Sequence, residues 1–150
     1  FGWISFALFR SFRLNPRHER STLPAHRHRS WTSYAIHRYH GCGHLEKVYE
    51  NALVHRLRKL GLKVEQQRAL TVCDEDGTVI GEYFADLLVE DQLIVEVKAA
   101  KAIADEHLAQ ILGYLRSARM EHGVLVNFGA AKFQIRKLAR SEALHRPAEN

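Results

Sequence analysis

The sequence is poor in the residues that mark specialised protein classes. Cysteine occurs twice in 150 residues, at Cys42 and Cys73. That is too few for a disulfide framework, so a reducing, cytoplasmic location is the default expectation. No apolar run approaches the roughly 20 residues that cross a bilayer, so no membrane partner is expected. There is no glycine-rich phosphate loop of nucleotide-binding type and no serine-nucleophile motif. Acidic residues are scarce only at the start. Residues 1–40 carry seven Arg and one Glu, a balance of +6, whereas residues 41–150 carry fifteen basic and sixteen acidic residues, a balance of −1. The net charge of +5 therefore belongs to the N-terminal stretch. A basic isoelectric point is weak support for a nucleic-acid partner in general, and it says nothing about the rest of this chain.

The whole chain is 46 % apolar and 26 % charged, a soluble globular composition long enough for one domain with a core. Residues 1–30 stand apart, rich in arginine and holding two of the three prolines. They are expected to be a basic tail, disordered or extraneous to the domain, and no initiator Met precedes them. Trp3 to Phe9 is apolar but short and has no basic residue ahead of it, which argues against a secretory signal. The arginine-rich, acid-poor character is transit-peptide-like, and a basic arm on a nucleic-acid backbone is a further reading. The domain is expected over residues 31–140, with 141–150 a C-terminal tail.

Within the domain, Trp31, Tyr34 and Ile36 suggest a short helix ending at Gly41-Cys42-Gly43. Residues 44–60 then read as an amphipathic helix, with Leu45, Val48, Tyr49, Ala52, Leu53, Leu57 and Leu60 at helical spacing and Gly61 as its stop. Strands are expected from Leu62 to Val72, Val79 to Val89 and Leu93 to Ala99. The first two are joined through Asp74-Glu75-Asp76-Gly77, the strongest hairpin signal in the chain, and Gly81 marks a possible bulge. Ile103 to Met120 reads as a helix with Ala104, Leu108, Ile111, Leu112 and Leu115 on its apolar face. Gly123 to Phe128 reads as a strand and Lys132 to Leu138 as a further one. The core order is helix, three strands, helix, strand.

Three charges interrupt the strands. Asp86 lies in the apolar run Phe84 to Val89, and Glu96 and Lys98 lie in or beside Leu93 to Val97. Such groups are costly to bury unpartnered. If the strands pair about Asp91, Asp86 falls opposite Glu96, and the period of two sets Lys98 on the same face. Two carboxylates and an ammonium suit a divalent metal, Mg²⁺ or Mn²⁺, held for phosphodiester hydrolysis: carboxylate oxygens for the cation, the lysine for the attacking water or the charge on phosphate. The competing reading is an exposed Asp and a surface Glu–Lys pair.

Glu46 falls between the directions of Leu53 and Leu57 on the helix wheel. It either completes the metal site or is a first-turn glutamate favouring the helix dipole. His107, Gln110 and Tyr114 share one flank of the second helix, where they either position substrate or form an ordinary amphipathic boundary. His37, His40, Cys42 and His44 could be zinc ligands, but their spacing matches no common structural zinc pattern.

Gly43-His44-Leu45-Glu46-Lys47-Val48-Tyr49 resembles the Gly-x-x-Glu-x-x-Tyr signature of the GxxExxY proteins, which resemble the PD-(D/E)XK nucleases. The resemblance runs from about residue 34 to 138. It includes Asp86 to Glu90, Val95 to Ala99, His107 to Leu115 and Val126 to Gly129. It implies an α/β, restriction-endonuclease-like core, αβββαβ with a mixed central sheet flanked by helices. It also implies metal at the positions of Asp86 and Glu96, catalytic assistance from that of Lys98, and a helix glutamate such as Glu46 joining the metal. Gln110-x-x-x-Tyr114 resembles the Gln-x-x-x-Tyr motif of RecB-type nucleases, which lies beside the active site. Two departures stand out: Ala85-Asp86 replaces Pro-Asp, and Cys42 stands where the glycine turn usually carries proline. The expected function is a Mg²⁺- or Mn²⁺-dependent nuclease acting on nucleic acid, DNA by preference. The alternative is a catalytically inert nucleic-acid-binding or protein-interaction module on the same scaffold. A homodimer is an option with no support in the residues.

Overall fold

A computed structural model describes residues 32–140. The tails expected at 1–30 and 141–150, and Trp31, lie outside the described residues. The elements in chain order are α1 (Thr32–His40), α2 (Glu46–Lys59), β1 (Val64–Cys73), β2 (Val79–Val89), β3 (Leu93–Lys98), α3 (Asp105–Ser117), β4 (His122–Asn127) and β5 (Gln134–Ala139). The strands form one sheet in the order β1-β2-β3-β4-β5. β3 and β4 run parallel through the α3 crossover, and every other neighbouring pair is antiparallel. The fold is thus the expected α/β mixed sheet with flanking helices.

The sheet is covered on both faces, which is why β3 and β4 read as continuous apolar runs. Leu87, Val89, Val95, Val97, Val124 and Val126 pack with Ile36, Tyr49, Leu53 and Leu57 of α1 and α2. Leu88, Ile94 and Leu125 pack with Ile111, Tyr114 and Leu115 of α3. Each fully buried aliphatic of this kind contributes about 1.5–3 kcal/mol of transfer free energy.

Three sequence expectations need correction. Leu45 and Val48 are exposed, and the buried stripe of α2 is Tyr49, Glu50, Leu53, Val54 and Leu57. Leu45 precedes the first helical residue, so its side chain lies outside the periodic stripe. α3 is shorter than Ile103 to Met120, because Ala104 is extended at its start and Arg119 turns left-handed (φ 52°) after its end. The bulge near Gly81 falls at its neighbour: Val72 pairs with Gly81 but Cys73 pairs with Val79, leaving Ile80 over.

Two features position the site. The three-residue β2–β3 loop, Glu90-Asp91-Gln92, carries two consecutive left-handed residues, Glu90 (φ 53°) and Asp91 (φ 56°), and the Gln92 N–H donates to the Val89 carbonyl at 3.1 Å. The register follows as expected about Asp91, with Val89 opposite Leu93 and Leu87 opposite Val95. The ladder then stops, and β2 continues toward its N-terminal end with β1 alone. Where it splits from β3, both β1 and β2 turn over. Leu87 faces the α2 side but Ala85 the α3 side, and likewise Val64 against Leu70. Gln67 stands at this point of β1 with φ 53°, between the pairs Gln66–Leu87 and Arg68–Ala85.

Candidate active site

Asp86 sits where β2 leaves β3. Strand separation frees the Val97 N–H, and the Asp86 carboxylate takes it: Oδ2 accepts that N–H at 2.8 Å. Oδ1 accepts from the Gln67 side-chain amide at 3.2 Å. Hairpin parity thus placed Asp86 near Glu96 correctly, while the contact itself arises from the break in pairing. Glu96 is 2 % exposed. Its Oε1 accepts a hydrogen bond from Lys98 Nζ at 3.1 Å, and its Oε2 is buried with no partner. Burial, and then the charge of Asp86, push the Glu96 carboxyl up to about 7. Burial also raises Asp86, opposed by the Val97 N–H and reinforced by the charge of Glu50. Burial pulls Lys98 down, but the Glu96 charge and hydrogen bond, with Glu46 and Asp86, outweigh it and leave the ammonium above its usual range.

Glu46 reaches the same region from α2. Its Oε2 accepts the Ala99 N–H at 2.9 Å, just past the end of β3, and its charge acts on Lys98. Tyr49, one helical turn on, is fully buried and stacked on Phe128 with ring centroids 4.6 Å apart. Its hydroxyl donates to the Gly41 carbonyl at 2.8 Å and accepts the His44 N–H at 3.2 Å. Gly43 (φ 114°) adopts a backbone that a side chain would strain. Gly43, Glu46 and Tyr49 therefore form one device: a turn, the pin that holds it, and a carboxylate delivered to the end of β3.

The residues expected on α3 divide. Gln110 Nε2 donates to the Tyr114 hydroxyl at 2.6 Å. Tyr114 is raised by burial and by the charge of Glu96, which sets it beside the carboxylates. His107 has another contact: its Nδ1 accepts the Ala104 N–H at 3.1 Å and closes the first turn of α3.

Four further residues shape the site without being singled out by the sequence pattern: Glu50, Gln67, Asn127 and Gly129. Glu50 is 3 % exposed and accepts from Lys47 at 2.8 Å and from Gln67 at 3.2 Å. Gln67 thus bridges Glu50 to Asp86. Glu50 lies four residues after Glu46, so the wheel that singled out Glu46 contains it. Asn127, fully buried, accepts the Ala100 and Gly129 N–H groups and donates to the Ala100 carbonyl and Gln134. It clamps the loop that follows Lys98. Gly129 lies under the same loop, where a Cβ would come 2.3 Å from the Ala99 carbonyl carbon.

Residues 30–138 match the profile of the PD-(D/E)XK nuclease superfamily. The chain belongs to the PD-(D/E)XK nuclease superfamily. The crystal structure of SSO0001 matches with a TM-score of 0.51 at 18 % identity, covering 65 % of this chain and 52 % of that one. This chain thus spans about half the length of SSO0001, and the likeness is one of fold. An alkaline exonuclease (LHK-Exo) from Laribacter hongkongensis matches with a TM-score of 0.48 at 13 % identity, covering 75 % of this chain and 68 % of that one. No curated protein matches the chain.

PD-(D/E)XK nucleases generally use divalent metals. The donor chemistry here fits such a cation. Asp86 and Glu96 are hard oxygen donors, and a partnerless buried oxygen beside a second carboxylate is the arrangement a cation relieves. Among the described residues, no three His, Cys, Asp or Glu side chains gather as a ready cage. The zinc reading finds the same: His37 Nε2 is hydrogen-bonded to the Ala130 carbonyl at 2.8 Å. No helix among the described residues is long and apolar enough to cross a membrane.

Proposed function

We propose that this domain is a metal-dependent nuclease of the GxxExxY type, hydrolysing phosphodiester bonds in nucleic acid, DNA in the first instance. The observation that carries the reading is the buried, partnerless Glu96 Oε2 between Asp86 and Lys98. Asp86 and Glu96 would hold Mg²⁺ or Mn²⁺, with Glu46 as third ligand or as a hydrogen-bonding neighbour. The cation, when bound, supplies charge neutralisation at the phosphate and a more acidic water. The protein's own groups do the rest. Lys98 is kept protonated by Glu96 and can donate to the attacking water or to a phosphate oxygen. Water adds at phosphorus and one P–O bond breaks, giving a phosphate monoester and a hydroxyl end. Gln110 and Tyr114 would hold the substrate beside the carboxylates, and His107 supports them by fixing the start of α3. The scarcity of cysteine supports a cytoplasmic setting.

Asp86→Ala should abolish cleavage of DNA in Mg²⁺ or Mn²⁺ while leaving the circular dichroism spectrum intact. Undiminished cleavage by that variant would overturn the assignment. The near-neutral charge of residues 41–150 favours a second reading, an inert binding module. Calorimetry with Mn²⁺ separates the two, since heat of binding that Asp86→Ala removes supports the nuclease.

A further inference from the structure

The hairpin of β1 and β2 projects past the end of β3, and between it and α3 lies a groove of about 700 Å³. One wall carries Tyr83, 48 % exposed, and the other Arg116 and Arg119, both exposed. Among the described residues neither arginine side chain has an ion-pair or hydrogen-bond partner. Exposed guanidinium groups across a groove from a half-exposed aromatic ring offer the chemistry that binds phosphate and stacks on ring faces. The groove adjoins the carboxylate site through one aromatic contact. The Tyr83 ring lies 5.3 Å from that of Tyr114, whose hydroxyl accepts from Gln110 and which senses the charge of Glu96. Two acids of the hairpin turn, Asp74 and Glu75, also line the groove; both are exposed, and Asp74 Oδ1 accepts the Glu75 N–H.

We infer that this groove holds a single, unpaired nucleic-acid strand, with a base on Tyr83 and phosphates on Arg116 and Arg119, leading it to the carboxylates. The inference rests on the nuclease reading for its occupant. A cleft of this volume falls within the ~300–1,000 Å³ range of ligand sites, which suits a short run of splayed bases. A half-exposed ring beside arginines is a stacking platform with an electrostatic flank, the arrangement by which single strands are bound without sequence preference.

The test is fluorescence anisotropy of the full chain with a labelled single-stranded DNA oligonucleotide, its duplex and the RNA equivalent, in EDTA so that no cleavage intervenes. Single strands should bind more tightly than the duplex. Tyr83→Ala should weaken single-strand binding by about 10-fold with an unchanged circular dichroism spectrum and thermal midpoint, and Tyr83→Phe should restore it. Arg116→Ala with Arg119→Ala should make the dependence of log Kd on log salt shallower by about 1.4, two phosphates at ~0.7 each. Preference for the duplex, or single-strand binding unchanged by Tyr83→Ala and by the arginine pair, overturns the groove and leaves the nuclease reading standing if the parent cleaves DNA. Binding with these variant effects but no cleavage under any divalent cation supports the groove and overturns the nuclease reading.

Discussion

Glu96 makes the folded protein sensitive to pH in a window where few other groups act. Burial and the neighbouring Asp86 charge raise its carboxyl from 4.5 to about 7. Folded, Glu96 holds its proton more tightly than unfolded, so the stabilisation from keeping it neutral is complete below pH 4.5 and lost as the pH rises through about 7. At about 1.4 kcal/mol per pH unit the full separation converts to about 3 kcal/mol. The Lys98 ion pair is already contained in the raised value, and relaxation of the site reduces the figure to about 2 kcal/mol. Asp86 is raised too and acts in the same direction. Glu65 and Asp76 are lowered, so their contributions are lost only on acidification below their ordinary values, outside the window. Lys63 and Lys98 are raised, so theirs are lost only at strongly alkaline pH. Urea unfolding of the parent in EDTA should therefore show a lower midpoint at about pH 8 than at about pH 5. Glu96→Gln removes the titrating group at constant shape and should flatten most of that difference, whatever its absolute stability. Adding Mn²⁺ at the higher pH should raise the midpoint of the parent and leave Glu96→Gln nearly unmoved. An equal loss between the two pH values in parent and variant would refute the reasoning.

Asn127→Ala removes four hydrogen bonds from a fully buried amide and leaves the loop after Lys98 unclamped; it should cost roughly 2–4 kcal/mol in urea unfolding. Gln67→Gly should be more stable than Gln67→Ala by about 1 kcal/mol, because both lose the bridge but only glycine adopts φ 53° freely. Tyr49→Phe keeps the stack on Phe128 and loses the hydroxyl bonds to Gly41 and His44; about 1 kcal/mol of destabilisation is expected by thermal melting.

The fold was legible wherever burial and period agreed. β3 and β4 are buried on both faces, so their apolar runs stand out without ambiguity, and the turn at Glu90-Asp91 fixes the register that brings Asp86 toward Glu96. Legibility failed where regular geometry failed. Counting by twos treats β1 and β2 as unbroken, and glutamine is no turn former, so nothing in Val64–Cys73 announces that Gln67 turns left-handed and flips the strand. Leu45 and Val48 entered the apolar face of α2 because a wheel weighs hydrophobicity and not whether a residue has a neighbour to cover it. Glu50 was passed over for the converse reason. A pattern that assigns apolar residues to the interior discards a buried carboxylate, although Glu50 shares the direction of Glu46, Leu53 and Leu57. The flank of His107 leaves open substrate contact or an ordinary helix boundary, whereas its ring nitrogen accepts a backbone N–H at the helix start.

The irregularities share one location, and that concentration is itself an argument. Gln67 carries backbone strain, Glu96 carries an oxygen with no partner, Asp86 and Glu96 repel as like charges, and Asp86 spends its carboxylate on an N–H that a continuous ladder would have satisfied. A carboxylate pair this deep costs stability unless a further charge balances it, and a left-handed glutamine costs about 1–3 kcal/mol unless its side chain gains by it. Gln67 does gain, since in that conformation its amide donates to both Glu50 and Asp86. Lys98 balances one carboxylate but approaches Glu96 through Oε1 alone. The remaining imbalance is one of negative charge, and a divalent cation held by Asp86 and Glu96 would correct it, with Glu96 Oε2 the oxygen that has no partner. Costs of this kind accumulate at sites kept for chemistry. On that logic the variants that relieve them, Glu96→Gln at alkaline pH and Gln67→Gly against Gln67→Ala, should gain stability at the same positions where cleavage is lost.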